Sequence, residues 1–217
     1  MIGQRSLFGP DKAASLKHRV ELRRVSVADA RFALEQRHYL RRARTGRQLN
    51  YAVLLDGEVD GVLTYAYPMM SVPLCGVPSD ELLEFARLYL ASNTPNVASC
   101  AIGKSLRIIV HDWLTVYRDA KTPRLVVSWS DSTRHTGAIY KAANFVWLRR
   151  AKGQLHGNSP TSKRGHREGH SDYDHDKDCW IYLLDKSVRL EEGPRRPPEA
   201  GGANPTRTLQ QIEKGDA

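Results

Sequence analysis

Residues 125–145 read LVVSWSDSTRHTGAIYKAANF, and the interpretation of the whole chain depends on this stretch. It begins as an apolar run typical of a buried strand, becomes polar from Ser128 to His135, and ends with Ile139 and Ala143 on one helix face. A buried strand that leads through a polar turn into a helix often carries reactive groups, because its carboxyl end opens into a crevice. A strand, a capped turn and a helix without chemistry fit the local pattern equally well.

The flanking sequence predicts the other helices and strands. Upstream, hydrophobic periodicity predicts a helix at 27–40, a long helix from Ala98 to about Tyr117, and strands at 19–25, 49–55, 59–67 and 81–90. Downstream it predicts strands at 145–148 and 179–184, and Asp56-Gly57 is a type I′ hairpin signal. Three consecutive strands before the long helix exclude a plain doubly wound nucleotide-binding fold. The order predicts an α/β (α+β) fold with a mixed, centrally splayed β-sheet flanked by helices.

Length and composition predict a single domain with a packed core. The chain has 217 residues, of which 41% are hydrophobic and 26% charged. We expect the domain to cover residues 18–190 and to contain a basic, His-rich loop insertion at 149–178. A flexible arm at 1–17 precedes the domain, and a disordered tail at 191–217, rich in Pro, Gly and Arg, follows it.

Cysteine spacing and hydropathy indicate the cellular compartment of the protein. Cys75, Cys100 and Cys179 are widely spaced and odd in number, which argues against a disulfide framework and for a reducing compartment. No apolar run reaches the roughly 18 residues of a membrane span, and the amino terminus lacks a secretory signal. We therefore expect a cytoplasmic protein with no membrane partner.

Positive charge is concentrated near the amino terminus. The net charge is +9, and residues 1–47 hold twelve Lys and Arg against four Asp and Glu. Five arginines crowd one segment around His38 and Tyr39, namely Arg37, Arg41, Arg42, Arg44 and Arg47. Such a cluster attracts a polyanion through counterion release, so we favour a nucleic acid partner over a merely solvated basic surface.

A charged pair lies in the otherwise apolar strand at 81–90. Glu84 and Arg87 are costly to bury unpaired, so they form either structural ion pairs with other partners or a polar pair at the floor of a site. Strict alternation predicts that Arg87 shares a face with Leu83 and Phe85, opposite Glu84.

The His-rich insertion and the long helix carry weaker signals. The insertion offers metal-ligand types, including His166, His170 and Asp172, but its glycines favour a flexible DNA-contacting loop over a metal site. The long helix begins with small residues such as Ala98 and Ser99, which let a phosphate approach free backbone N–H groups.

The element order resembles that of the acetyltransferase superfamily called GNAT. In that fold the strand before the long helix, a small-residue loop and the helix start bind the pyrophosphate of an acyl-CoA donor. Ala101-Ile102-Gly103 with Leu106 resembles the end of this motif. Ala98 and Ser99 stand where the superfamily has Arg or Gln and its first glycine.

Within that superfamily, four blocks resemble the Mom family of bacteriophage DNA-modification proteins. They occur in order within residues 20–185. The blocks are His38-Tyr39, Glu84-Phe-Ala-Arg87, Asn96-Val-Ala-Ser99, and Ser128-Trp-Ser-Asp131 followed by Gly137-Ala-Ile-Tyr140 and Asn144-Phe145.

The resemblance implies a GNAT-like catalytic domain that converts adenine in DNA to N6-carbamoylmethyladenine. This modification protects phage DNA from restriction endonucleases. The implied partner is DNA with the adenine flipped out of the duplex, in the cytoplasm of a bacterial host that carries the phage or prophage. The resemblance does not identify the donor of the transferred group, and an acyl-CoA-like donor is compatible with it. Iron and a homodimer are also compatible with the family, and no metal ligands are assigned.

The resemblance also suggests a role for each candidate residue. Asp131 would accept a proton from the adenine amine or orient it, and Tyr140 would donate to a developing oxyanion or leaving group. Glu84 and Arg87 complete the catalytic set, with Arg87 paired with Glu84 or with donor charge. Substrate contacts are expected from His38, Tyr39, Arg41, Arg42, Arg44, Arg47, Ser130 and His135. Donor contacts are expected from Ala98, Ser99, Gly103 and Lys104.

Alternatives remain open for the residues and for the function. Asp131 as a helix cap, Tyr140 as a core aromatic and His38 as a helix-end cation fit the sequence without chemistry. A conventional acyl-CoA-dependent N-acyltransferase acting on a protein or small amine is a second function, although the chain lacks its Arg/Gln-x-x-Gly-x-Gly/Ala loop. A non-enzymatic DNA-binding protein is a third.

Overall fold

A computed structural model describes residues 15–41, 43–69, 72–152 and 176–190. Arg42, the first 14 residues of the arm, most of the His-rich insertion and the tail at 191–217 lie outside the described residues. None of the helices in the described ranges is both long and apolar enough to cross a membrane.

The described chain forms one seven-stranded mixed sheet with helices on both faces. Its helices are α1 (Leu16–Arg19), α2 (Val27–Arg37), α3 (Val97–Val116) and α4 (Ala138–Ala142), with a 3-10 turn at Ser79–Glu81. Its strands are β1 (Val20–Val25), β2 (Gln48–Leu55), β3 (Glu58–Ala66), β4 (Leu82–Leu90), β5 (Leu125–Asp131), β6 (Val146–Ala151) and β7 (Lys177–Leu183). The strand order is β1-β2-β3-β4-β5-β7-β6, and only β4 and β5 run parallel.

Two layers of helix bury the two faces of the sheet. On one face α3 packs Ile102, Ile109 and Trp113 into the main core, which also contains Tyr65 and Phe85 of the sheet. On the other face α2 packs Ala30 and Leu34 against Val62 of β3. The Asp56-Gly57 hairpin joins β2 to β3, and both residues have positive φ, as a type I′ turn requires.

The sheet splays between β4 and β5. These strands pair only from Leu82 to Glu84 on β4 and from Leu125 to Val127 on β5. Beyond these three pairs each strand follows its outer neighbour, β3 or β7, so a gap opens between them. The mixed, centrally splayed sheet flanked by helices is confirmed.

Two predicted boundaries at the gap were wrong. We expected α2 to reach Leu40, but it ends at Arg37, because the His38 side chain accepts the Leu40 backbone N–H at 3.1 Å in place of a helical carbonyl. We expected the polar turn to begin at Ser128, but β5 continues to Asp131, because β7 pairs with it along its whole length.

Candidate functional site

The gap between β4 and β5 holds a cleft of about 1130 Å³. Its floor and walls come from β4, β5, α4, the start of α3 and the turn after α2. The predicted residues that line it are His38, Tyr39, Arg44, Glu84, Arg87, Ala98, Ser99, Ser130, Asp131, His135 and Tyr140. The cleft therefore brings together residues that are up to 102 positions apart in sequence, because the splay separates β4, which carries Glu84 and Arg87, from the end of β5.

Asp131 is buried at the end of β5 and holds the turn that follows it. Its Oδ1 accepts hydrogen bonds from the Thr133 backbone N–H at 2.9 Å and from the Thr133 hydroxyl at 2.6 Å. Its Oδ2 lies 3.5 Å from Nε of Arg134. The capping alternative therefore applies to this turn and not to α4, whose N-cap residue is Gly137.

Tyr140 lies on α4 with its ring packed in the core and its hydroxyl beside β5. The ring stacks on Trp180, with centroids 5.3 Å apart and planes 9° apart. The Ser128 hydroxyl lies 3.0 Å from the Tyr140 oxygen and 2.8 Å from the Phe85 carbonyl, and donates to one or the other. Burial raises the pKa of Tyr140 to about 12, so the phenol keeps its proton at neutral pH.

Glu84 forms a buried ion pair, and its partner is Arg44. Arg44 Nη2 lies 2.6 Å from the Glu84 carboxylate and also donates to the Tyr67 carbonyl at 3.1 Å. Burial raises the pKa of Glu84, and the charges of Arg44 and Arg87 oppose that shift. Of the two alternatives for Glu84, the structure therefore supports a structural ion pair, and its partner is Arg44.

Arg87 lies on the same face as Glu84, and the prediction of opposite faces was wrong. The β3–β4 register passes from Thr64↔Arg87 to Tyr65↔Phe85, so Ala86 is an extra, bulged residue. A bulge shifts the alternation by one residue, which turns Arg87 toward the face of Glu84. Arg87 Nη1 donates to the Ala86 carbonyl at 2.6 Å.

His38 is buried and neutral, which excludes the helix-end cation. Burial, with the nearby charges of Arg87 and His135, lowers its pKa to about 4. Because Nδ1 accepts the Leu40 backbone N–H, the proton of the neutral ring sits on Nε2. His38 can therefore donate one hydrogen bond into the cleft.

Tyr39 and the loop after β5 meet across the mouth of the cleft. Tyr39 stacks on His38 at 4.5 Å, and its ring centroid lies 5.2 Å from the Arg134 guanidinium and 5.9 Å from the His135 ring. Desolvation lowers the pKa of His135, opposed by the charge of Asp131. Ser130 lies deeper and accepts the Trp180 indole N–H at 2.9 Å.

The residues predicted to contact the donor lie at the start of α3. Asn96 precedes the helix with φ of 64° and no side-chain capping bond, and Ala98 and Ser99 line the cleft. Gly103 and Lys104 are not among the lining residues, because α3 begins at Val97 and they lie in its second turn. Lys104 instead borders a separate groove of about 380 Å³ with Lys17, His18, Leu22, Arg107 and Ile108.

The predicted arginine cluster is divided by the fold. Arg44 is buried at the cleft floor, whereas Arg41 is exposed. Arg47 pairs with Asp119 at 2.6 Å and lies over the Tyr117 ring, away from the cleft lining. Arg42 lies outside the described residues. The three of these arginines that the structure describes, Arg41, Arg44 and Arg47, therefore share no common surface.

The described residues offer no group of three or more His, Cys, Asp or Glu side chains that could hold a metal ion. Cys179, which follows the His-rich insertion, is buried in β7, and burial raises the pKa of its thiol to about 12. The loop histidines lie outside the described residues.

Several lining residues were missed from the sequence, among them Met69, Trp129, Lys152 and Lys177. Lys177 is the cross-strand partner of Asp131, a pairing that depends on the antiparallel return of β7. The one available signal was the strand at 179–184, whose upstream extension would have brought Lys177 opposite the end of β5.

A model of the Mom protein family matches residues 19–192. The match includes β1 to β7 and all the candidate residues. No protein with a curated description matches the chain significantly.

Similar solved structures include acetyltransferases. The ribosomal L7/L12 alpha-N-protein acetyltransferase RimL has 15% identity and a TM-score of 0.45, over 79% of this chain and 97% of RimL. A spermidine N-acetyltransferase from Vibrio cholerae has 11% identity and a TM-score of 0.48, over 81% and 99%. The microcin C7 self-immunity acetyltransferase MccE, in complex with acetyl-CoA and AMP, has 10% identity and a TM-score of 0.39, over 63% of this chain and 61% of MccE. This chain therefore spans less than two thirds of the MccE chain.

Proposed function

The chain belongs to the Mom protein family, and we propose that it is a transferase that modifies the exocyclic amine of adenine in DNA. The proposed product is N6-carbamoylmethyladenine, and the proposed benefit is protection of phage DNA from restriction. The single observation that carries the proposal is the cleft in the splayed sheet. It joins a buried carboxylate, Asp131, to a protonated phenol, Tyr140, and to a neutral imidazole, His38.

The two reacting roles follow from proton chemistry. The adenine amine is a weak nucleophile because its lone pair is delocalised into the ring, so a base must take its proton as the new bond forms. Asp131 accepts that proton while N6 bonds to the carbon of the transferred group. The bond from that carbon to its leaving group breaks, and Tyr140 gives its proton to the departing atom. The Ser128 hydroxyl, 3.0 Å from the phenol oxygen, donates to the phenolate that results.

The residues after α2 provide a site for the base itself. Adenine in a duplex must leave the stack before its amine can reach a buried carboxylate. His38 has a free Nε2 proton for a ring nitrogen of the base, and Tyr39 is 47% exposed beside it. For a base to stack on Tyr39, the Arg134 guanidinium moves off the Tyr39 ring toward a DNA phosphate. Arg134 then exchanges its cation–π contact with Tyr39 for an ionic contact with the phosphate.

The donor occupies the α3 side of the cleft in this proposal. Backbone N–H groups at the start of α3 favour a negative group, and the neighbouring side chains Ser92, Asn93, Thr94 and Ser99 are short and polar. An acyl-CoA-like donor fits this part of the cleft. Iron fits less well, because the described residues hold no group of three or more His, Cys, Asp or Glu side chains that could bind it.

Expression in a bacterial host tests the activity directly. Host DNA is digested to nucleosides and analysed by mass spectrometry for an adenine derivative with the added mass of a carbamoylmethyl group. Asp131→Asn should lower its yield about a hundredfold or more, because general base catalysis contributes about 10²–10⁴ in rate. Asp119→Asn, an exposed carboxylate outside the cleft lining, is the matched control.

Two results would count against the proposal. Unmodified adenine in cells with ample folded wild-type protein contradicts the activity and favours a DNA-binding role. Full modification by folded Asp131→Asn removes Asp131 from the mechanism but leaves the activity standing.

A further inference from the structure

The rim of the cleft carries one strongly exposed apolar side chain. Met69 lines the cleft, yet 82% of its surface is accessible, the highest value among the large hydrophobic residues that the structure describes. Tyr39, the other large hydrophobic residue of the described lining that is exposed, is held by contacts with His38 and Arg134. Met69 is therefore the most exposed large hydrophobic side chain of the described lining, where a bound macromolecule can reach it.

The backbone under Met69 is fixed although the side chain is exposed. β3 ends at Ala66, and the Tyr67 carbonyl then accepts a hydrogen bond from Arg44 at 3.1 Å. The Met69 backbone lies close enough to the Glu84 carboxylate to lower its pKa, and that carboxylate is paired with Arg44 at 2.6 Å. The buried ion pair thus anchors the chain at Tyr67, two residues before Met69, and lies beside the Met69 backbone.

A base that flips out of a duplex leaves a gap in the DNA stack, and a side chain of the enzyme can fill that gap. Removing a base from a duplex breaks its stacking on both neighbours, which opposes entry into the cleft. Proteins that distort DNA commonly insert an apolar side chain, methionine among them, between base steps. A flexible thioether side chain fits an irregular apolar gap well.

We propose that Met69 enters the space that the flipped adenine leaves in the duplex and holds the base outside the stack. This inference rests on the proposed function. It gives Arg44 and Glu84 a positioning role, because they fix the segment that carries Met69. The side chain contacts the DNA stack and not the reacting atoms, so single-stranded DNA has no need of it.

The test compares duplex and single-stranded substrates of one sequence. A phagemid in its duplex and its single-stranded circular form is incubated with purified protein and with extract of a bacterial host as the source of donor. Modified adenine is measured by nucleoside mass spectrometry. Met69→Ala should lower the rate on the duplex about tenfold or more and change the rate on the single strand by less than about twofold.

Matched variants separate the wedge from a general loss of apolar surface. Met69→Leu should keep most of the duplex activity, because it restores an apolar side chain of similar volume. Phe32→Ala removes a larger side chain, 72% exposed on α2 and outside the cleft lining, and should change neither rate. Circular dichroism establishes that all variants are folded.

The outcomes distinguish this inference from the proposed function. If wild-type protein modifies both forms and Met69→Ala affects them equally or not at all, the wedge is wrong and the transferase stands. If wild-type protein modifies only the single strand, the wedge is also wrong. If wild-type protein modifies neither form, the proposed function fails and the wedge fails with it.

Discussion

His38 illustrates how burial decides the chemistry of a single side chain. The sequence left it as a base contact or a helix-end cation. Its burial at the end of α2, near the charges of Arg87 and His135, makes the cation unfavourable. A neutral ring with a known proton position is more useful for recognising a base than a charge that phosphate would attract equally.

The same burial predicts an acid-sensitive stability. The pKa of His38 is about 4 in the folded protein and about 6.5 when unfolded. Between these pH values the unfolded chain binds a proton that the folded one does not, so the free energy of unfolding falls as pH drops from 6.5 to 4. The difference corresponds to at most about 3 kcal/mol. Chemical denaturation at a series of pH values measures it.

His38→Gln removes this titration while keeping a polar side chain. The variant should lose less stability than the wild type between pH 6.5 and 4. His111→Gln, on the exposed side of α3, controls for the loss of any one histidine. Equal pH dependence of wild type and His38→Gln would show that His38 is not the group responsible.

Residues that line the cleft could be predicted where a local sequence pattern marks them, but their ion-pair partners could not. Asp131, Tyr140, His38 and Glu84 could be selected from their blocks, and all of them line the cleft. The pairing of Glu84 with Arg44 joins two positions 40 residues apart and could not be read from periodicity. Arg44 looked like a surface cation because it stands among four other arginines.

Two details of the strands and helices decide the shape of the cleft. The bulge at Ala86 puts Glu84 and Arg87 on one face, although alternation in the sequence puts them on opposite faces. Nothing in Leu82–Leu90 signals a bulge, since the cause lies in its pairing with β3. The long helix was predicted almost correctly, because its apolar stripe is strong and local.

Gly137 fixes α4 against the sheet and is the second detail. Its φ is +75°, and a Cβ at this position would overlap the indole ring of Trp180, which stacks on Tyr140. Gly137→Ala should therefore lower the free energy of unfolding by about 3 kcal/mol or more, and should also reduce activity by displacing the Tyr140 ring. Denaturant unfolding and the nucleoside assay measure the two effects.

Gly46→Ala separates backbone strain from the overlap. Its φ is +80°, but a Cβ there meets nothing within 4 Å. This variant should lose only about 1 kcal/mol, the cost of the left-handed conformation for alanine. Similar losses for the two variants would mean that the Trp180 contact adds nothing.

For the whole molecule, the net charge of +9 is less informative than its distribution. The fold removes Arg44 from the surface and neutralises Arg47 with Asp119, while Arg41 stays exposed next to the turn that carries His38 and Tyr39. Composition predicts a polyanion partner, and this stays a prediction. It could not indicate which arginines face that partner, because ion pairing is a property of the folded chain.

This division predicts different salt dependences of DNA binding. Each phosphate contact releases condensed counterions and contributes about 0.9 to the slope of log K against log salt concentration on duplex DNA. Arg41→Ala should lower the magnitude of that slope by about this amount, since it removes one exposed charge. Arg47→Ala should leave the slope nearly unchanged, because Asp119 already balances that guanidinium in the free protein. Fluorescence anisotropy with one labelled duplex at several salt concentrations measures both slopes.

An equal fall in slope for the two variants would mean that Arg47 leaves Asp119 and contacts a phosphate. Arg41 and Arg47 would then both contact DNA, as the arginine cluster in the sequence predicts.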